Sequence, residues 1–265
     1  MSIIRSLIVG IFLLFILYSC NKEPISAGGE NRMLLEVVST DGDSVFYTFF
    51  HYDVLEHLTS LKDSNNNGHS WETSIEYNLQ GNPIKFMTIH QAPDGSTSGV
   101  DDSLVYSNNK VIKKLFKPSY ASVYFTKDAY SYDIEGRLTC DSIYQYSTNE
   151  IYGYSNFIYD GNDDVVQVQQ FNNYSGSMVN RVEIVASHDS YLNPYRKLGS
   201  ILYFIRDVNL LLSKHNRTKV LYDNHSVIVT ENYTYQYENG LPKKTMLTSS
   251  NGGSFHQNTI DFYYN

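Results

Sequence analysis

Short runs of alternating apolar and polar residues recur along the chain, each ending in an aromatic and an acidic, amide or hydroxyl residue. The clearest are Phe50-His51-Tyr52-Asp53, Ile75-Glu76-Tyr77-Asn78, Leu104-Val105-Tyr106-Ser107, Tyr130-Ser131-Tyr132-Asp133 and Phe157-Ile158-Tyr159-Asp160. Later copies are Leu221-Tyr222-Asp223, Tyr235-Gln236-Tyr237-Glu238 and Phe262-Tyr263-Tyr264-Asn265. Alternation with a period of two marks a strand with one buried face. The best-formed copies run on into a turn and a second strand, as in Tyr132-Asp133-Ile134-Glu135-Gly136-Arg137-Leu138 and Tyr77-Asn78-Leu79-Gln80-Gly81-Asn82-Pro83-Ile84. There the Asp or Asn side chain bonds back to the turn backbone and the glycine accepts a positive φ. The repeated tyrosines fall about 25 to 29 residues apart through Tyr159, enough for one hairpin and its connection. The pattern predicts an all-β fold: a long antiparallel meander of hairpin repeats, twisted and curled or partly closed.

One segment breaks this rhythm. Leu198, Ile201, Leu202, Ile205, Val208, Leu211 and Leu212 fall at spacings of three and four, a helical period. This predicts one short helical insertion near 196–212, covering an end or a face of the sheet.

The amino end follows another pattern. Arg5 precedes an unbroken apolar stretch from Leu7 to Tyr18, the layout of a signal peptide and too short for a comfortable bilayer crossing. The junction Leu17-Tyr18-Ser19-Cys20 resembles the bacterial lipobox, with an aliphatic residue three before the cysteine and a small one just before it. The resemblance implies cleavage before Cys20, lipidation of Cys20 and attachment to a membrane through that lipid. Asn21 stands where an aspartate would favour the inner membrane, which implies the outer membrane of a bacterial cell envelope. Residues 1–19 then form the signal, 20–31 a flexible tether with Gly28-Gly29, and 32–265 a single β-rich domain.

Composition narrows the picture. Cys140 is the one cysteine besides Cys20, so no internal disulfide can form once Cys20 is lipidated, and burial alone must stabilise the fold. A formal charge of −8, with no run of Lys and Arg, argues against nucleic acid and against a polybasic membrane patch. The 24 tyrosines suit a half-buried pleated surface, where the ring packs and the hydroxyl reaches a partner.

The strand-turn pattern resembles the tyrosine-aspartate (YD, or RHS-type) repeat. With the lipobox, the layout resembles Bacteroidetes lipoproteins of unknown function that carry degenerate YD-like repeats. Asn193-Pro194-Tyr195 and Ser213-Lys214-His215-Asn216 are similar to an Asn-Pro-aromatic and Ser-Lys-x-Asn pair in those proteins, with His215 where they more often have asparagine.

Candidate chemistry is sparse. Asp63, Asn65 and Asn67 supply oxygens at alternating positions before Gly68, as calcium loops do, but the closing acid is missing and an Asn-Gly hairpin turn explains the same residues. No metal or other cofactor is expected. The chain has no HExxH, GxSxG, phosphate loop or dinucleotide fingerprint, so no catalytic residue is assigned. Tyr233, Tyr235 and Tyr237 share one strand face, as do Tyr144 and Tyr146, and such strips stack on sugar rings if exposed or pair across strands if not. Ser44, Ser103 and Ser142 lie in Asp-Ser-aliphatic tripeptides that resemble O-glycan acceptors of Bacteroidetes exported proteins, at predicted strand starts. The expectation is a non-enzymatic envelope lipoprotein that binds a glycan or another envelope protein. The alternative is an envelope polysaccharide hydrolase whose Asp and Glu come from separate strands.

Overall fold

The computed structural model describes residues 32–265 apart from 175, 207, 208, 252 and 253, so the signal peptide, Cys20 and the tether to residue 31 lie outside the described residues. Sixteen strands follow one another among the described residues. They are β1 (Leu34–Asp41), β2 (Ser44–Tyr52), β3 (Leu58–Asn65), β4 (Ser70–Tyr77), β5 (Pro83–Gln91), β6 (Thr97–Ser107), β7 (Lys110–Pro118) and β8 (Thr126–Tyr132), then β9 (Leu138–Gln145), β10 (Ile151–Tyr159), β11 (Val165–Tyr174) and β12 (Ser177–Leu192), and finally β13 (His215–Asp223), β14 (Ile228–Glu238), β15 (Leu241–Asn251) and β16 (Ser254–Tyr264).

Each strand pairs antiparallel with the next, and β1 pairs with β16, so the sheet is a closed barrel. This corrects the expectation of a curled or partly closed sheet. Accumulated twist brings the last strand back to the first, and closure satisfies two edges that an open meander would leave unpaired. The seam runs from Leu34↔Tyr264 to Asp41↔Asn258. It is locked at its end by Met33 N donating to Asn265 Oδ1 at 2.9 Å and Asn265 N donating to Met33 O at 3.2 Å.

The turns that follow even-numbered strands, together with both ends of the described chain, form one rim, here called lower. The repeated tyrosines except Tyr222, which ends β13 at the opposite rim, gather there, and the first five each mark a place where the strand register shifts: His51/Tyr52, Glu76/Tyr77, Val105/Tyr106, Ser131/Tyr132 and Ile158/Tyr159. The extra residue in each bulge re-aims the ring inward and along the rim. Its hydroxyl donates to a carbonyl at the start of the previous hairpin: Tyr52 to Leu34 O at 2.8 Å, Tyr77 to Leu58 O at 2.7 Å, Tyr106 to Pro83 O at 2.6 Å and Tyr132 to Val111 O at 2.7 Å. Tyr159 reaches Leu138 O at 3.0 Å and Tyr264 reaches Pro242 O at 2.8 Å. The repeat is thus a chain of clamps, each hairpin holding the one before it.

The predicted helix forms as α1 (Gly199–Arg206), followed by a 3-10 turn at Asn209–Leu212. It lies inside the barrel, so the face of the sheet that it covers is the inner one. Tyr195, just before it, meets Phe50 of β2 and Phe262 of β16 at ring-centroid distances of 6.4 and 6.1 Å. Tyr203 packs edge-on against Tyr130 of β8 and Phe157 of β10 at 6.4 and 5.8 Å. Arg206 Nη2 lies 2.5 Å from Asp63 Oδ1 of β3. Contacts to strands all round the ring are possible only from the lumen. Leu198, Leu202, Tyr203 and Phe204 are buried, and burying a leucine side chain contributes about 1.5–3 kcal/mol. Gly199 lets the helix and the returning turn touch, since a Cβ there would meet Leu211 O at 2.7 Å.

The neck of this insertion is a polar clasp. Asn193 N donates to Lys214 O and Asn193 Nδ2 to Ser213 O, each at 3.0 Å, while Tyr195 N donates to Asn193 Oδ1 at 3.0 Å. Ser213 Oγ accepts from Val165 N at 3.1 Å, and the buried Asp164 accepts from His215 N at 2.7 Å and lies 2.7 Å from His215 Nδ1. The Asn-Pro-Tyr and Ser-Lys-His-Asn motifs therefore have a structural role: they seal the plug into the rim.

The outer wall carries charged side chains. By register and alternation Lys62, Glu72, Lys85, Asp101, Lys117, Lys244 and Asp261 point outward from strand interiors. Lys117–Asp101 and Lys244–Asp261 form ion pairs there at 3.5 and 3.6 Å. A lysine at the midplane of a lipid-facing barrel wall costs about 2–4 kcal/mol, so these charges weigh against a hydrocarbon-facing belt.

Candidate functional site

Because the insertion enters from the lower rim, the lumen is a cup closed at one end. Register carries polar side chains from five adjacent strands onto its inner wall: Lys114↔Asp128, Asp128↔Ile143, Asp141↔Ser155 and Ser155↔Gln170 are opposed pairs. With Phe116, Thr126 and Tyr203 of α1 they line a cavity of about 230 Å³. The polar groups tie wall to plug. Lys114 Nζ lies 3.2 Å from Asp128 Oδ2 and donates to Phe204 O at 3.2 Å, and the Tyr203 hydroxyl donates to Asp141 Oδ2 at 2.6 Å. Lys114, Asp128, Asp141 and Tyr203 are all buried. Charges taken out of water need such partners, because an uncompensated one is costly. Just above them Ile143, on the same inward face as Asp141, is 40% exposed, so the cup is open to solvent at its upper end. Gln170, Ser155 and Thr126 offer hydroxyl and amide groups, and Phe116 a ring, to a small polar molecule seated over the charged floor.

A second concavity of about 850 Å³ lies at the lower rim between the insertion and the turns beside β5 to β11. Tyr106, Tyr132 and Tyr159 form one side, and Ile201, Leu211 and Leu212 of the insertion the other. Lys110 Nζ sits 5.1 Å from the Tyr132 ring centre and the Arg137 guanidinium 5.0 Å from that of Tyr159. Burial pushes the Tyr106 hydroxyl up to about 12 and raises those of Tyr132 and Tyr159 further, so all three remain neutral donors. Arg137 is held by Asp133 at 2.7 Å and Asp163 at 3.1 Å, and Asp133 is in turn kept below the usual carboxylate range by hydrogen bonds from Arg137 against a desolvation that acts the other way.

The tyrosine strip on β14 lines the lumen. Tyr233 is buried, with Arg217 4.6 Å above its ring, and its hydroxyl bonds Glu231. Tyr235 donates to Arg217 O at 2.9 Å and Tyr237 bonds Asp189. The rings stack on one another along the strand at 6.5 and 5.7 Å, with their hydroxyls bonded to neighbouring groups. Tyr144 and Tyr146 do not form a strip: Tyr144 lies on the outer wall with Lys127 Nζ 5.2 Å from its ring, while Tyr146 sits in the turn beyond β9, 5.5 Å from Tyr124.

The calcium-like loop is a turn. Asn65 Oδ1 accepts from Asn67 N and His69 N, both at 3.1 Å, and Asp63 Oδ1 accepts from Thr48 Oγ1 at 2.6 Å as well as from Arg206. Among the described residues no group of three His, Cys, Asp or Glu could hold a metal ion. Ser44 begins β2, but Ser103 and Ser142 stand inside β6 and β9 rather than at strand starts, with Ser142 Oγ 3.5 Å from Cys140 Sγ. What the sequence did not reveal is the Lys114, Asp128, Asp141 and Tyr203 group. Its one trace is that Asp128 shares the face of Tyr130 and Tyr132, a charge on the buried parity of its strand.

No protein-family model matches the chain, and no curated protein does. Solved structures do. A porin-like protein from Bacteroides uniformis superposes with a TM-score of 0.58 at 11% identity, over 88% of this chain and 96% of its own. A porin-like protein from Bacteroides vulgatus gives a TM-score of 0.50 at 11% identity, over 89% of this chain and 99% of its own. At that identity the likeness concerns architecture: by fold, the chain is similar to two porin-like proteins of Bacteroides.

Proposed function

We propose that this is a non-catalytic binding protein of the cell envelope, tethered by lipid on Cys20, whose plugged barrel holds a polar ligand of the glycan class in its cup. One observation carries the reading: the lumen is blocked by its own chain and floored by Lys114, Asp128, Asp141 and Tyr203, which makes a receptacle where an unplugged barrel would make a conduit. The charged outer wall supports a body in water beside the membrane rather than within it. Polar side chains over a rigid floor suit sugar hydroxyls, which need several donors and acceptors at fixed positions.

The test is a glycan array and an envelope extract probed with the lipid-free chain from Asn21, followed by titration of the best ligand. Gln170→Ala with Phe116→Ala should weaken binding at least tenfold with strand content unchanged. Absence of any glycan or extract ligand would remove the reading. Mass spectrometry of the chain from its host should find diacylglycerol on Cys20, and an intact amino terminus would remove the tether.

A second reading, a polysaccharide hydrolase, has in its favour two carboxylates, Asp128 and Asp141, in one cavity. Both are committed to holding the plug, through Lys114 and Tyr203. Release of reducing ends from polysaccharides, lost in Asp141→Asn, would favour it.

A further inference from the structure

We infer that the lower rim is a membrane-docking face, with aliphatic turn tips entering the lipid surface and a group of cations at the cleft mouth meeting anionic lipid headgroups. The inference starts from side chains that the fold does not need. Val54, Leu55, Leu79 and Ile134 are 98%, 71%, 102% and 96% exposed, and all four stand at the tips of lower-rim turns. The turns themselves are built by other groups: Asp53 Oδ1 accepts from Leu55 N at 2.8 Å, Asn78 Oδ1 from Gln80 N at 3.0 Å and Asp133 Oδ1 from Arg137 N at 2.8 Å. The turn after β10 makes the same Asx bond, Asp160 Oδ1 from Asn162 N at 2.8 Å, with Gly161 at the equivalent place, so an aliphatic tip is no requirement of the geometry. Nearly complete exposure of several large aliphatic side chains on one rim is what a docking surface has and an isolated soluble surface avoids.

Part of the same rim carries a local group of cations. Lys110, Arg196, Lys197 and Lys214 border the lower cleft and form no ion pair with described residues. Acids share the rim: Asp133, Glu135 and Asp163 all meet the single Arg137, Glu238 meets Lys243 and Asp53 bonds His57, while Glu56 and Asp160 form no ion pair with described residues, so the excess of cations is local to the mouth of the cleft. These four cations come together in space from positions 110, 196, 197 and 214 and form no run in sequence. Cations above embedded aliphatic tips are the arrangement by which peripheral proteins hold anionic bilayers.

The third observation is where the chain enters. Met33 and Leu34 lie at this rim, and only eleven residues separate Cys20 from Arg32, a reach of at most about 40 Å. Resting here on the tether of the proposed function, lipid on Cys20 would hold this rim, and not the open mouth of the cup, toward the bilayer. The opposite rim exposes Tyr120, Phe255, Val123 and Ile228 as well, the two aliphatic ones less completely than the lower-rim tips, and it serves as the control.

The experiment uses the lipid-free chain from Asn21, which contains every described strand and its core, so that its outcome does not depend on whether Cys20 is lipidated. Co-sedimentation with vesicles of phosphatidylglycerol and phosphatidylethanolamine should show binding that weakens at least tenfold in 0.5 M salt. Leu79→Ser with Ile134→Ser should lower it at least tenfold, Lys110→Glu with Lys197→Glu similarly, and Tyr120→Ser should leave it unchanged. No binding above that to vesicles without anionic lipid, or loss in Tyr120→Ser and none in the lower-rim variants, overturns the inference. So does a dimer in vesicle-free buffer that Leu79→Ser dissociates, since the rim would then serve a second copy.

Discussion

A tyrosine hydroxyl inside a sheet has to find an acceptor, and along the lower rim it finds the same kind each time. Tyr77 donates to Leu58 O, 19 residues back, and Tyr132 to Val111 O, 21 back. Tyr77→Phe keeps the ring and removes the bond, leaving the Leu58 carbonyl one partner short. The expected loss is about 1 kcal/mol, read in a urea melt. The same group sets a pH limit. Burial, aided by the charge of Asp53, pushes the Tyr77 hydroxyl up to about 12 from an ordinary 10, so the folded chain keeps a proton that the unfolded chain releases. Its contribution is therefore whole below pH 10 and is lost as pH rises from 10 to 12. Tyrosinate absorbance should lag in the native protein relative to the same chain in denaturant, and superimposable titrations would refute the buried ladder. The tyrosines of this ladder were legible in the sequence as a spacing. Their acceptors were not, because a backbone carbonyl leaves no mark in residue type.

At the scale of the element, the insertion shows both what periodicity reveals and where it stops. Spacings of three and four residues marked α1 correctly, but amphipathicity says only that one face is covered, not whether the cover lies outside the ring or within it. The deciding contacts, Tyr203 to Asp141 and Arg206 to Asp63, join residues 62 and 143 apart. Tyr203→Phe should cost about 1.5–3 kcal/mol, since the Asp141 carboxylate loses a charge-assisted bond in a buried place. Gly199→Ala should be damaging for a different reason: its Cβ would lie 2.7 Å from the Leu211 carbonyl, forcing the 3-10 turn away. Limited proteolysis separates these effects from global unfolding. Both variants should be cut faster between Gly199 and Leu212 while the strands stay protected, and an unchanged cleavage rate would mean the plug is not held as described.

For the whole molecule, the all-β meander was legible because each hairpin carries its own alternation and turn chemistry. Closure was not, because it depends on β1 meeting β16, and nothing in either strand names the other. Removing residues 254–265 should leave β1 and β15 as bare edges, and light scattering should then detect self-association; a monomer with the same strand content would show that the seam contributes little. The meeting of the two ends also fixes an order of events. Met33 and Asn265 are 232 positions apart, and bringing together the ends of so long a flexible loop costs about 5 kcal/mol of chain entropy before any contact at the junction repays it. The ring cannot be completed until its last dozen residues are available, whatever has already formed behind them, so maturation should be slow and should wait on the carboxyl end.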